Sequence, residues 1–87
     1  MTQRGVNETV AEIESTLRDV FHPTVLLVSD DSEEHIGHAG ADKGHFTVEI
    51  ASEHFAGLSR LQSHRLIYAA LDELMQTKIH ALRIVIS

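Results

Sequence analysis

Residues 45–51, HFTVEIA, decide the architecture. Phe46, Val48 and Ile50 fall on one side of a two-residue period, and Thr47 and Glu49 fall on the other. This is the pattern of a strand with one face buried and one uncovered. Upstream, TVLLV at 24–28 is a β-branched and aliphatic run of strand length. Between the two runs, SDDSEEHIGHAGADKG is acidic first and glycine-rich afterwards, and residues 29–44 read as a flexible hairpin loop. Two consecutive strands joined this way pair antiparallel.

The flanking segments have helical periods. Val6, Val10, Ile13, Leu17 and either Val20 or Phe21 recur at the spacing of one helix face. Asn7, or Thr9 with Glu12, supplies the start signal, and residues 1–5 are expected to be disordered. His22-Pro23 ends the helix, because the residue before proline is pushed out of the helical region. After the central strand, Ser52 caps a short helix through Phe55 that breaks at Gly57, a left-handed stop. A longer helix is predicted from Ser59 to Gln76, with Leu66, Ala70 and Leu74 on one stripe and Ile67 and Leu71 beside it. KIHALRIVIS (78–87) is the last strand.

The order is α-β-β-α-α-β in one domain spanning 1–87. A connection as long as the last one joins parallel neighbours by a right-handed crossing. The expected fold class is therefore α+β, a three-stranded mixed sheet with helices packed on one face. If the second and third strands run parallel, they begin at the same end of the sheet. The hairpin loop enters at that end too, so His35, His38, His45 and His80 should converge near one edge.

Composition narrows the function. Eighty-seven residues at 43% hydrophobic content suit one small globular core. The absence of cysteine removes disulfides, thiolate nucleophiles and zinc ribbons, and it suits a cytoplasmic location. No apolar run reaches the length of a membrane span, and MTQRGVNETV lacks the features of a targeting segment. A net charge of −6 argues against broad nonspecific binding to nucleic acid. The carboxylates of SDDSEE crowd a solvated loop, and nothing suggests a nucleophile–base pair or a phosphate cradle, so no enzyme is expected.

Four motifs, by order and spacing, resemble the BolA family over most of the chain. They are His45-Phe46 opening the central strand, Phe55-Ala56-Gly57 at the turn, His64-Arg65 with Tyr68 on the long helix, and Ile79-His80-Ala81-Leu82 opening the last strand. The resemblance implies a fold similar to a type II KH module, whose element order is the one read above. It also implies a monothiol glutaredoxin as partner and a shared [2Fe–2S] cluster, with a glutaredoxin cysteine and a glutathione thiolate supplying two ligands. No cofactor is expected for the isolated chain, which is read as a monomer or weak homodimer.

On this resemblance His80 is a ligand, together with one loop histidine. His35 fills the place after the acidic turn, His38 follows three residues on, and either satisfies the pattern. Read from residues alone, both could equally be polar loop histidines without a role. Strand parity leaves the facing of His80 open: it matches Leu82, Ile84 and Ile86, but Ala81 and Val85 make the other face apolar too. His45 is placed behind the ligands, as a supporting residue. Neutral imidazole pairs on one iron are known chemistry for such clusters.

A second function competes. Arg60, His64 and Arg65 form the concentrated basic patch of the chain, and segment 53–76 reads as a helix-turn-helix-like unit that could present them to DNA. BolA-like proteins are often described as DNA-binding regulators of stress responses. Two features weigh against it. Ser63 stands where many relatives carry a second arginine, and FAGLSRL has one glycine where a KH module needs a GXXG loop.

Overall fold

The structure, a computed structural model, describes residues 8–31 and 44–87. Helix α1 (Glu8–Phe21) buries Ile13, Leu17 and Phe21, one residue per turn along a single line. Phe21 rather than Val20 completes that line, and Val20 is exposed. Thr9 lies inside the helix, so its box with Glu12 is not the start; Asn7 and residues 1–5 lie outside the described residues. At the other end His22 takes a left-handed backbone, φ 46°, and its N–H donates to Arg18 O at 3.0 Å. That bond satisfies an orphan carbonyl of the last turn.

Strands β1 (Val25–Asp30), β2 (Gly44–Ala51) and β3 (Ile79–Ile86) form one sheet in that order. β1 and β2 are antiparallel, with Leu26 opposite Ile50 and Val28 opposite Val48. β2 and β3 are parallel, with Phe46 opposite Leu82, Val48 opposite Ile84 and Ile50 opposite Ile86. The α+β class, the mixed sheet and the strand directions are those expected. The hairpin connection is shorter than expected: β1 continues through Ser29 and Asp30, Asp31 N–H donates to His45 O at 2.7 Å, and Gly44 already belongs to β2. Backbone pairing, which sequence polarity does not report, extends the ladder into the acidic run. His35 and His38 lie outside the described residues.

Phe46, Val48 and Ile50 are buried with Ile13, Leu17, Phe21, Phe55, Ile67, Leu71 and Ile79. Full burial of one such side chain stabilises by about 1.5–3 kcal/mol. Among the described residues nothing covers the opposite face of the sheet, and Val25, Leu27 and Val85 are exposed on it.

The crossover is set by caps. Ser52 Oγ accepts from His54 N–H at 3.1 Å and donates to Phe21 O at 2.7 Å, starting a 3₁₀ turn at Glu53–Phe55 and tying it to α1. Gly57 has φ 79°, the left-handed stop expected of it. Ser59 then forms a capping box with Gln62 at the start of α2 (Arg60–Ala70).

The single long helix expected from Ser59 to Gln76 is divided at Leu71, where φ −99° and ψ 15° separate α2 from α3 (Asp72–Thr77). Leu71 N–H still donates to Ile67 O and Met75 N–H to Leu71 O, so two bonds through Leu71 carry the chain across the break between the helices. The buried line runs Ser63, Ile67, Leu71, flanked by the partly buried Ala70 and Leu74. Leu66 is exposed, because the true line begins at a serine that an apolar count passes over.

Candidate metal centre

His45 and His80 open the two parallel strands, and the ladder between them is irregular there. Gly44 is opposite Ile79, but His45 is opposite Ala81, so His80 is an extra residue without a partner in β2. Such a bulge re-aims a side chain. It explains how Ile79 and Leu82, three positions apart, can both serve the core side: Ile79 is buried and Leu82 packs against the core. His80 itself is exposed. The parity left open by alternation is thus decided by a feature outside alternation.

The two rings meet. The His45 and His80 centroids are 5.1 Å apart, with planes inclined at 45°. Two imidazoles bound to one tetrahedral metal at metal–nitrogen distances of about 2.0–2.1 Å have their centroids about 5 Å apart. The observed spacing is compatible with that geometry, and equally with His45 standing beside a ligating His80 as a supporting ring. Among the described residues, no three histidine or carboxylate side chains are placed to hold a metal. The pair therefore offers at most half of a tetrahedral set, and the rest must come from elsewhere.

Surrounding contacts fix the backbone beneath the pair. Asp31 N–H bonds the His45 carbonyl, and the Thr47 hydroxyl donates to the Asp31 carboxylate, joining β1 to β2 beside the ring. Gly44 N–H donates to Lys78 O at 2.9 Å, and Lys78 Nζ reaches Glu12 Oε1 at 2.9 Å, joining the start of β3 to α1. That carboxylate, by hydrogen bond and by charge, raises the pKa of Lys78 above its ordinary 10.5. Downstream, the Tyr68 hydroxyl donates to Leu82 O at 3.3 Å, linking α2 to the outer edge of the same strand.

The predicted convergence is seen for His45 and His80. Sequence reasoning placed His45 behind the ligands; its ring stands directly beside that of His80. The signal was present, since both histidines begin parallel strands at one end of the sheet.

The basic patch is less concentrated than it reads. Arg60 and Arg65 are exposed, but five residues of helix set them about 140° apart around the axis. His64 is half-buried, and its Nε2 is buried without a hydrogen-bond partner. Ser63 points into the core at 2% exposure, so a side chain there adds nothing to the patch. The segment before α2 is one 3₁₀ turn of three residues, so the helix-turn-helix reading lacks its first helix.

Comparison with known proteins agrees with this architecture. Residues 17–87 match the family model described as BolA-like protein. The chain is similar to the chloroplastic BOLA1 protein of Arabidopsis thaliana, 35% identical over 93% of this chain and 54% of that one. It is also similar to the DNA-binding transcriptional regulator BolA of Escherichia coli, 43% identical over 80% of this chain and 66% of that one. The chain thus spans between half and two thirds of the length of these relatives. Among solved structures, the BolA domain of SufE1 from Arabidopsis thaliana superposes with a TM-score of 0.83 at 36% identity, covering 92% of this chain and 91% of that one. BolA1 from Mus musculus gives 0.79 at 34% identity, covering 98% and 68%. By sequence match and by fold, this chain belongs to the BolA family.

Proposed function

We propose that the protein is a non-enzymatic cytoplasmic adaptor that binds a monothiol glutaredoxin and co-ligates a [2Fe–2S] cluster, serving iron–sulfur trafficking or iron and redox regulation. The observation that carries this reading is the exposed His80 imidazole, set on a bulge 5.1 Å from that of His45. When bound, such a cluster supplies one-electron chemistry, and two histidines on one iron raise its potential. His80 is the proposed ligand from β3, and His35 or His38 the one from the loop. His45 orients His80 from the neighbouring strand. Two imidazoles without thiolates hold such a cluster poorly, so the glutaredoxin cysteine and glutathione complete the set.

The test is co-purification with a monothiol glutaredoxin and glutathione, followed by visible absorption and circular dichroism. Wild type is compared with His80→Ala, His35→Ala, His38→Ala and His45→Ala. Loss of the mixed-complex spectrum is expected for His80→Ala and for one loop variant. An unchanged spectrum in His80→Ala removes the ligand assignment.

A second reading is a DNA-binding regulator acting through Arg60, His64 and Arg65. Similarity to the Escherichia coli regulator favours it. Salt-dependent binding to duplex DNA that is lost in Arg65→Ala would support it. The spread of the two arginines around α2 weighs against it.

A further inference from the structure

A second histidine pair lies at the other end of β2. His22 follows α1 and His54 sits in the 3₁₀ turn, with ring centroids 6.3 Å apart and planes at 40°. β2 is eight residues long, which separates this pair from His45 and His80 by about 20 Å. Both side chains are exposed. From this geometry we infer that His22 and His54 form a separate, low-affinity binding site for a borderline divalent cation such as Ni²⁺, Cu²⁺ or Zn²⁺.

Three observations support the inference. The first is the backbone of His22. A helix that stops in the left-handed region ordinarily uses glycine, or else asparagine. Here a histidine takes φ 46°, a conformation that costs a side chain about 1–2 kcal/mol. This conformation ends α1 before Pro23 and fixes the base from which the His22 ring reaches toward His54.

The second is rigidity beneath the rings. His22 N–H is bonded to Arg18 O, and Ser52 Oγ bonds both Phe21 O and His54 N–H. The two backbones are therefore tied to one another through a single serine. The His54 ring also stands edge-on to the buried Phe21 ring at 5.9 Å and 81°, which limits its swing.

The third is donor chemistry. Rings sharing a tetrahedral cation have centroids about 5 Å apart, so closure requires roughly 1 Å of movement by exposed side chains. Imidazole pairs without thiolate suit nickel, copper and zinc, and do not suit magnesium or calcium. Among the described residues no third histidine or carboxylate joins them. Water fills the remaining positions, which fits a weak and open site.

The experiment uses the untagged 87-residue chain in which His35, His38, His45 and His80 are all replaced by glutamine, leaving this pair intact. Ni²⁺ is titrated calorimetrically, and amide broadening by substoichiometric Cu²⁺ is mapped by NMR. One bound Ni²⁺ is expected, with Cu²⁺ broadening concentrated at residues 20–24 and 52–56. Adding H22N or H54Q should weaken Ni²⁺ binding by about tenfold or more. Asparagine tolerates the left-handed backbone, so H22N keeps the fold, and its amide spectrum verifies this. Absence of Ni²⁺ binding in the background protein, or affinity unchanged by both variants, overturns the assignment. Neither result bears on the glutaredoxin reading, whose histidines lie at the other end of the sheet.

Discussion

The rings of His45 and His80 lie 5.1 Å apart although each belongs to a different strand, because β2 and β3 run parallel and start together. Parallel pairing does what sequence proximity does not: it joins a residue near the middle of the chain to one near its end. The bulge then frees the second ring from the ladder and exposes it.

This placement predicts how a thiolate should behave at the same position. If the proposed complex with a monothiol glutaredoxin forms, His80→Cys in it should still load a cluster, since the donor stays on the bulge. Its reduction potential should fall by on the order of 100 mV or more, as expected when thiolate replaces imidazole on iron. Spectroelectrochemical titration of the two complexes checks this. Equal potentials would mean that position 80 does not touch the iron.

Ile67 is fully buried at the crossing of α2 with the sheet. Ile67→Ala should cost about 3–4 kcal/mol through lost transfer energy and the cavity left behind. Urea unfolding followed by far-UV circular dichroism gives the value. A loss below about 1 kcal/mol would mean that the surrounding core collapses to fill the space.

Gly57 separates conformational cost from packing cost. A Cβ there meets nothing within 4 Å, yet φ is +79°. Gly57→Ala should therefore destabilise by about 1–2 kcal/mol through the backbone alone. Gly57→Asn should recover part of that loss, and the two variants compared in urea isolate the left-handed requirement.

The Lys78–Glu12 pair joins α1 to the start of β3 and raises the Lys78 pKa above 10.5, first by hydrogen bond and then by charge. A raised pKa means that the stability it contributes is fully present below about pH 10.5 and is lost as pH rises through the folded-state value. The pair is exposed, so the effect should be small and screened by salt. Melting curves of wild type and Lys78→Met should differ at pH 8 in low salt and converge as pH rises beyond 10.5 through the raised value.

Much of the fold was legible because it is carried by periods and caps. Phe46, Val48 and Ile50 announce β2, and Ser52 and Gly57 mark the turn. The length of the last crossover fixes the direction of β3. Three features resisted reading, each for a physical reason. The break at Leu71 is a change of backbone angle with no proline or glycine to announce it. Ser63 occupies a core position, which moved the apparent stripe onto the exposed Leu66. The bulge at His80 shifts the phase of β3 by one residue, and any strict two-residue period applied through it assigns the wrong face. Within the candidate centre, convergence of His45 with His80 followed from strand direction, whereas their ring contact needed side-chain geometry.

The bulge also makes His80 the one residue of β3 that the sheet does not require. Removing it would leave Ile79 and Leu82 two positions apart, both still inward, on an unbroken strand. A chain lacking His80 should therefore fold with its core unchanged. The architecture carries this imidazole as a passenger, so its chemistry can be gained, lost or exchanged without renegotiating the fold.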